Sequence, residues 1–566
     1  MRLASGGSAV RTAVLPARPA PGPVLQPPLA LLTALAGGLA LAAAFPPAGI
    51  WPLAAVGPAM LVVALWHQRA RMALAAGAVF GLAFFFPLLS WLVNVAWYVW
   101  TALAVAEAVI FSLLTVGQWL LLRLRAWPLA VAGWWVAAEA VRNRWPWGFP
   151  WGRLVMSQAT APTARWVAVV GPPVLTFLIA LAGACLAWLV LGPATPSRPD
   201  GRTRSALGAR GWPAMALVST LTLALSGALL PVDAGGARQP SAVVAAIQGD
   251  VPHARNLPSL LRATTVTQNH AAATYRLAAL IAAHRMAAPD VVIWPENSSD
   301  QDPRFDPYIY DVISGAVATL GHPVLVGAVL QDPVRNAGQL WLPGRGPVAT
   351  YIKRHLVPFG EVIPFRGLLD KVTSLPSLQP VNFTAGHRAV VFHVGKIRLG
   401  DVICYEVGFD GLVTSDVAAG ANLLAVQTND ADFEVDGQTG ESLQQLAMAR
   451  IRAIENDRSV VVASTTGVSA IIAPDGRLLA STGTWQRAEV EARVPLRTTI
   501  TLADKIGGWP EALITFGTLA ALVLALAGVV QGRRRRPSPA GQDGPSTSDP
   551  AAWPGRSPES SEQAAE

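Results

Sequence analysis

Long apolar runs are confined to residues 28–231 and 511–531, whereas residues 241–500 mix apolar and polar positions as a soluble domain does. A run of about 20 apolar residues can span a membrane as a helix. The runs predict eight such helices, at approximately 28–45, 51–66, 72–94, 100–122, 127–141, 165–192, 213–231 and 511–531. The first run is too long for a signal peptide, and a second follows almost at once.

These boundaries predict a seven-span membrane region at 28–231, a soluble domain at 241–500 and a final transmembrane helix at 511–531. The two ends of the chain, residues 1–27 and 532–566, are rich in residues that do not build a packed core, such as Pro, Ser and Gly. We predict that both ends are disordered tails.

Arginines mark one side of the predicted membrane region. They cluster in the loops after the second, fourth and sixth spans and again after the eighth, at 69–71, 123–125, 198–210 and 533–536. The positive-inside rule makes that side cytoplasmic. Both termini are then cytoplasmic, and the soluble domain lies on the extracytoplasmic side.

One loop breaks this pattern, because Arg142, Arg144 and Arg153 fall on the outer side. The same loop, "RNRWPWGFPWGRL", also holds three tryptophans, which favour the membrane interface. We interpret it as an interfacial anchor. The alternative is a wall of the site whose arginines meet lipid phosphate groups.

The soluble domain alternates short apolar strands with helices. Strand patterns lie at 241–247, 290–294 and 399–403, and helical patterns lie at 259–284, 307–320 and 441–456. Continuous apolar strands between helices are typical of an α/β domain whose sheet is covered on both faces. In such sheets the chemistry lies at the carboxyl ends of the strands.

Composition excludes several kinds of site. Only two cysteines are present, so a disulfide framework and a cysteine-based zinc site are not expected. The formal net charge of +8 does not indicate nucleic acid, because the basic residues outside the soluble domain flank apolar runs. We predict no metal and no cofactor.

Three reactive side chains follow predicted strands: Glu296 after "DVVIW", Lys353 after "VATYI" and Cys404 after "LGDVI". Each alone has an ordinary interpretation, as a turn carboxylate, a solvated charge and a small buried side chain. Together they form a catalytic set. The carboxylate takes the thiol proton, and the ammonium stabilises the thiolate and an oxyanion. The backbone N–H of Tyr405 is a second oxyanion donor.

The segments "VVIWPENSS", "YIKRHLVPFGEVIPF" and "GDVICYEVGF" resemble the three catalytic segments of the nitrilase superfamily, the carbon–nitrogen hydrolases. The resemblance implies a Glu-Lys-Cys triad on an α-β-β-α sandwich. With its membrane spans, and with "QGDVP" and "MARIRAIEN", the chain is similar to the bacterial apolipoprotein N-acyltransferase family. That similarity implies a multi-pass protein of the bacterial inner membrane.

The resemblance implies a role for seven residues. Glu296 is the general base, Lys353 stabilises the oxyanion and Cys404 is the nucleophile. The supporting residues are Glu361, which orients the lysine, Asn336, which lines the site, and the two residues after the nucleophile, Tyr405 and Glu406. The chain departs from the family after Asn429 and Asp430, where Asp432 stands in place of an aromatic residue.

The implied reaction moves an acyl chain from a phospholipid to the α-amine of diacylglyceryl-cysteine in a lipoprotein, through a thioester on Cys404. The partners are then the phospholipid, the diacylated apolipoprotein and the membrane, with the enzyme as a monomer. Two alternatives remain open at this point. One is a membrane-tethered amidase or nitrilase, and the other is a non-catalytic scaffold for another cell-envelope enzyme.

Overall fold

The computed structural model describes residues 24–192, 206–231, 240–252, 259–371, 380–434 and 439–534. The two predicted tails lie outside this part of the chain, apart from residues 24–27 and 532–534. Seven helices come first: α1 Pro27–Ala43, α2 Leu53–Leu65, α3 Ala70–Leu88, α4 Trp97–Leu121, α5 Trp127–Arg142, α6 Val167–Leu191 and α7 Ala206–Leu225. Each overlaps a predicted span, in order.

Close approach between these helices depends on small residues. A Cβ on Gly38 of α1 would lie 2.4 Å from the carbonyl oxygen of Phe80 in α3, and one on Gly183 of α6 would lie 2.5 Å from that of Ala55 in α2. Such small-residue contacts let helix backbones pack closely where lipid provides no hydrophobic driving force. Cys185, on α6, is buried in this bundle as predicted.

The domain predicted at 241–500 contains two six-stranded sheets. The strands are β1 Ser241–Gln248, β2 Val291–Ile293, β3 Val324–Leu330, β4 Arg335–Leu342, β5 Gly346–Ile352, β6 Val391–Val394, β7 Ile397–Ile403, β8 Leu423–Thr428, β9 Val460–Ser464, β10 Ala470–Ile472, β11 Leu478–Ser481 and β12 Ala488–Pro495. The first sheet has the order β12-β1-β2-β3-β4-β5, and the second has the order β11-β10-β9-β8-β7-β6. The central strands of each sheet, β1-β2-β3 and β7-β8-β9, are parallel, and the strands at the edges pair antiparallel to them.

Helices cover the outer faces of both sheets. They are α8 Ser259–Ala282 and α9 Pro307–Leu320 on the first sheet, and α11 Asp410–Ala418 and α12 Gly440–Asn456 on the second. Two short helices complete this part of the chain, α10 Arg366–Leu369 and α13 Leu502–Ile506, and α13 packs against α6 and α12. One buried apolar cluster lies between the two sheets, and further clusters lie beneath α8 and α9 and beneath α11 and α12. The predicted α-β-β-α sandwich is therefore confirmed.

The last helix, α14 Trp509–Arg534, returns to the membrane region and packs against α4 and α5. Among the described residues, five helical segments have the length and apolar character to cross a membrane: 70–88, 97–121, 162–191, 211–229 and 509–531. The helices α1 and α2 are apolar but shorter. The fold is thus a bundle of apolar helices joined to an α-β-β-α sandwich, with buried charged residues on both α4 and α5.

The loop between α5 and α6 joins the two regions. Trp151 of this loop is buried and stacks on Tyr405 at 5.6 Å between ring centroids, and one apolar cluster continues from the bundle into the sandwich. The interfacial interpretation fits Trp145 and Trp147, which are exposed, but it is wrong for Trp151.

The proposed use of the loop arginines for lipid phosphates is also wrong for two of them. Arg142 is buried and its Nε donates to Glu107 Oε2 at 2.6 Å. Arg153 is buried too, and its guanidinium binds both carboxylate oxygens of Asp410 at 2.6 and 2.9 Å, with Glu139 at 3.9 Å. Their positive charges therefore pair with acidic groups inside the protein, which is why this loop departs from the positive-inside rule.

Replacing Arg153 by Leu should destabilise the protein by about 3 kcal/mol or more, because the buried Glu139 loses its neighbouring positive charge and Asp410 is left with Arg452 as its arginine partner. Unfolding in detergent, followed by tryptophan fluorescence, measures this. Arg144→Leu is the matched control. Its ion pair with Glu511 is 66% exposed on the arginine side, so its loss should cost less than about 1 kcal/mol. An equal loss of stability in Arg153→Leu and Arg144→Leu would contradict this account of the α5–α6 loop.

Candidate active site

Three strand ends bring the predicted triad together. Glu296 follows β2, Lys353 follows β5 and Cys404 follows β7, and all three side chains are buried. Lys353 Nζ donates to Glu296 Oε1 at 3.0 Å. The Cys404 thiol lies close enough to Glu296 and Lys353 for both charges to shift its pKa. The two sheets face each other, so residues far apart in sequence meet at one end of the sandwich.

Glu361 and Asn336 complete the polar cluster around the lysine. Lys353 Nζ also donates to Glu361 Oε1 at 3.0 Å. Asn336, on β4, donates through Nδ2 to Glu296 Oε1 at 2.6 Å and to Glu361 Oε1 at 2.8 Å. One ammonium and one amide therefore hold two carboxylates in fixed positions. The structure places Asn336 within this cluster, as the resemblance implied.

The lysine stays charged in this cluster. Burial on its own would lower the pKa of Lys353, but Glu296 and Glu361 raise it well above its usual value. Burial raises the pKa of Glu296, Lys353 opposes that rise, and Glu361 adds to it. A carboxylate with a raised pKa is a better proton acceptor than an exposed one, which suits a general base.

The nucleophile candidate occupies a sharp turn between a strand and a helix. Cys404 has φ +52° and begins the 3-10 turn Cys404–Gly408. A left-handed conformation is unusual for a residue other than glycine, and such residues concentrate at functional sites. Burial raises the pKa of Cys404 well above its usual value, Glu296 raises it further, and Lys353 opposes both. The resting thiol is therefore protonated and requires a base.

Glu406 does not contact the triad directly but fixes two of its members. Its buried carboxylate accepts hydrogen bonds, at 2.7 to 3.0 Å, from one hydroxyl and three backbone N–H groups, those of Tyr351, Arg354, His355 and Ile403. These groups lie beside Lys353 and Cys404. Glu406 therefore ties the end of β5 to the end of β7.

Tyr405 connects the same turn to the membrane region. Its hydroxyl donates to the carbonyl oxygen of Gly148 at 2.6 Å, and its ring lies nearly parallel to that of Trp151, with 13° between the planes. Since Tyr405 follows the nucleophile directly, the α5–α6 loop helps to set the position of Cys404.

The residue that departs from the family pattern is three positions after Asn429, whose backbone N–H donates to Glu296 Oε2 at 3.0 Å. Asp432 is exposed and pairs with Arg262 at 3.5 Å. The next residue, Phe433, packs edge-on against Trp91 at 5.2 Å between ring centroids, and its carbonyl oxygen accepts from Asn94 Nδ2. The aromatic contact between this loop and the membrane region therefore comes from the neighbouring position.

Two buried polar residues of α12 were missed from the sequence. Gln445 Nε2 lies 3.4 Å from Cys404 Sγ and 2.9 Å from Glu441 Oε1. Their spacing of four residues places both on one helix face, where polar groups on an otherwise buried helix are a usable signal. Nothing near them in the sequence pointed to the nucleophile.

Comparison with known proteins agrees with this geometry. Residues 244–504 match the family model described as carbon-nitrogen hydrolase, the class that the sandwich and the Glu-Lys-Cys cluster define. Residues 37–185 match the model described as apolipoprotein N-acyltransferase N-terminal domain.

Relatives extend the match over most of the chain. The apolipoprotein N-acyltransferase of Mycolicibacterium smegmatis is 35% identical over 515 residues, which cover 88% of this chain and 85% of the relative. Those of Geobacter metallireducens and Azotobacter vinelandii are each 30% identical, covering 82% and 89% of this chain and 89% and 95% of the relatives. The chain belongs to the apolipoprotein N-acyltransferase family and is an acyltransferase. The solved structure of an amidase from Nesterenkonia sp. covers 45% of this chain at 17% identity, with a TM-score of 0.33 that is too low to support an argument.

Replacing Glu296 by Gln should make Cys404 easier to ionise and yet less active. The wild-type thiol has a raised pKa, so alkylation by iodoacetamide should reach its plateau only at alkaline pH. Removing the nearby carboxylate should shift that alkylation profile to lower pH. Acyl transfer should fall by roughly 10²–10⁴-fold, because the base is lost.

Mass spectrometry of the Cys404 peptide across a pH series gives the profile. Glu489→Gln, on the edge strand β12, is the control and should leave the profile in place. A profile that does not move in Glu296→Gln would show that this carboxylate does not act on the thiol.

Proposed function

We propose that the protein transfers one acyl chain from a membrane phospholipid to the N-terminal α-amine of diacylglyceryl-cysteine in lipoproteins. The observation that carries the proposal is the buried Cys404 thiol between a carboxylate and an ammonium, on a turn packed against the membrane region. The names of the relatives support lipoprotein N-acylation as the reaction.

The first half of the reaction makes an acyl-enzyme. Glu296 takes the thiol proton of Cys404 as Sγ attacks the ester carbonyl of the phospholipid. The ammonium of Lys353 and the backbone N–H of Tyr405 stabilise the tetrahedral oxyanion. The C–O bond of the ester then breaks, Glu296 returns the proton to the leaving oxygen, and a lysophospholipid departs. Cys404 keeps the acyl chain as a thioester.

The second half passes the chain to the lipoprotein. The α-amine attacks the thioester carbonyl, and Glu296 takes a proton from the amine. The C–S bond breaks, the thiolate of Cys404 leaves beside Lys353, and Glu296 gives the proton back to sulfur. The product is an amide, so the acceptor becomes a triacylated lipoprotein.

Burial of the site favours transfer over hydrolysis. The residues Glu296, Lys353 and Cys404 are 5%, 1% and 8% exposed. A thioester in a cavity from which water is excluded survives until the amine arrives. The same exclusion strengthens the contacts of the lysine with the oxyanion.

The position of the nucleophile suits two lipid substrates. Its turn contacts the loop between α5 and α6 through Tyr405, so the thiol lies beside the end of the helical bundle. The arginine pattern supports a site on the extracytoplasmic face of the inner membrane, with both termini in the cytoplasm. All groups of the site come from one chain, and we propose that the enzyme works as a monomer.

Acyl-enzyme formation can be observed before any acceptor is added. Protein in detergent is incubated with phosphatidylethanolamine or phosphatidylglycerol of defined acyl chains. The Cys404 peptide should gain the mass of one chain, and hydroxylamine should remove it. A diacylglyceryl-cysteine peptide added next should take up that chain as an amide.

Cys404→Ala is the control and should give neither product. An amide hydrolysed by Cys404 without an acyl-enzyme from phospholipid would support the tethered amidase instead. A Cys404→Ala protein that restores growth to cells lacking the gene would support the scaffold.

A further inference from the structure

A helix outside the proposed mechanism reaches the reacting sulfur. Glu296, Lys353 and Cys404 all follow strands, whereas α12 lies across the outer face of the second sheet. From α12, Gln445 brings its amide nitrogen to 3.4 Å from Cys404 Sγ. Gln445 is 3% exposed, so this contact is shielded from water.

We propose that Gln445 is a further catalytic residue, whose amide N–H donates to Cys404 Sγ and stabilises the thiolate. Glu441, one helical turn earlier, is the positioning residue for that amide. The inference rests on the acyl-thioester chemistry proposed above. The thiolate forms twice in that cycle, once when Glu296 takes the thiol proton and once when the amine expels sulfur. No bond to Gln445 forms or breaks.

The two contacts of the amide define its orientation. Gln445 Nε2 has two hydrogens, and its two acceptors are Cys404 Sγ and Glu441 Oε1, the latter at 2.9 Å. Turning the amide over would place its oxygen against the sulfur and remove the donor from the thiolate. Anchoring to Glu441 therefore selects the orientation that serves the nucleophile.

A hydrogen bond to this sulfur strengthens during the reaction. A thiol sulfur is a weak acceptor, whereas an ionised acceptor makes hydrogen bonds about twice as strong as neutral ones. The contact thus contributes little to the resting enzyme and more as charge develops. Interactions of that kind raise the rate of the chemical step.

The acidic surroundings keep Glu441 from opposing the thiolate. Burial raises the pKa of Glu441 well above its usual value, and the carboxyl groups of Asp430, Glu434 and Glu296 raise it further. These surroundings favour the protonated form of Glu441, whose proton is shared with Asp430 while Oε1 accepts from Gln445. In its ionised form Glu441 raises the pKa of Cys404, so protonation of Glu441 favours the thiolate.

Two substitutions of Gln445 separate the effect of its hydrogen-bond donor from the effect of its side-chain size and shape. Gln445→Leu keeps the bulk and loses the donor. Gln445→Glu keeps the shape and, when ionised, places a negative charge beside the sulfur. The midpoint of Cys404 alkylation should shift to higher pH in the order wild type, Gln445→Leu, Gln445→Glu. Acyl-enzyme formation in a single turnover should slow by roughly ten- to a hundredfold in Gln445→Leu.

Glu441 gives a second pair of variants. Glu441→Leu frees the amide and should reproduce part of the alkylation shift and of the rate loss. Glu441→Gln keeps an uncharged acceptor in place, so its alkylation midpoint and its rate of acyl-enzyme formation should be close to those of the wild type. A residue that only packs α12 against the sheet would not produce this rescue, nor the ordered shift in the thiol titration.

The alkylation measurement needs no substrate, so it separates this inference from the proposed function. If N-acylation is absent and the ordered shift is present, the role of Gln445 at Cys404 stands and the proposed function falls. If folded Gln445→Leu and Gln445→Glu proteins titrate like wild type and form the acyl-enzyme at the wild-type rate, the inference is overturned. Circular dichroism and the melting temperature in detergent establish that each variant is folded.

Discussion

A single buried ammonium holds the site together. Lys353 is almost fully buried, and its Nζ lies 3.0 Å from a carboxylate oxygen of both Glu296 and Glu361. Burying three charged groups is costly unless each is paired and hydrogen-bonded. Here the carboxylate oxygens also receive the Asn336 amide and the backbone N–H groups of Val357 and Asn429. The cluster carries one excess negative charge, which adds to the effect of burial in raising the pKa of Cys404 and of Glu296.

Because of that excess charge, the proposed mechanism requires Cys404 to lose its proton at the same time as Glu296 gains it. A thiolate formed without loss of the charge on Glu296 would add a second negative charge to a dry site. In the proposed mechanism, transfer of the proton from Cys404 to Glu296 moves the charge without changing its sum, and the ammonium of Lys353 stabilises the thiolate. The backbone is fixed around this exchange by Glu406, so proton transfer requires little rearrangement.

The sequence predicted best those features of the fold and the site that depend on a pattern of neighbouring residues. Apolar runs predicted the positions of the helices. The pattern of a reactive residue directly after a strand predicted Glu296, Lys353 and Cys404, because the strand ends of an α/β domain lie close together. Contacts between distant elements left no such pattern. Gln445 lies 41 residues from the nucleophile, and only the packing of α12 brings them together. For Arg153 the positive-inside rule gave no indication of its partner, because counting the charges of a loop does not reveal that Asp410 lies next to it in the fold.

The stack of Trp151 on Tyr405 has a consequence for the organisation of the whole chain. The face of the sandwich that carries the nucleophile's turn and α12 shares one apolar core with the helical bundle, including Val155, Met156 and Met448. A sandwich released from its helices would expose that face and lose the hydrogen bond of Tyr405 to Gly148. The catalytic domain is therefore not an independent module on a membrane anchor. Because bundle and sandwich share this core, a shift of the helices within a lipid bilayer would be passed to the turn that carries Cys404.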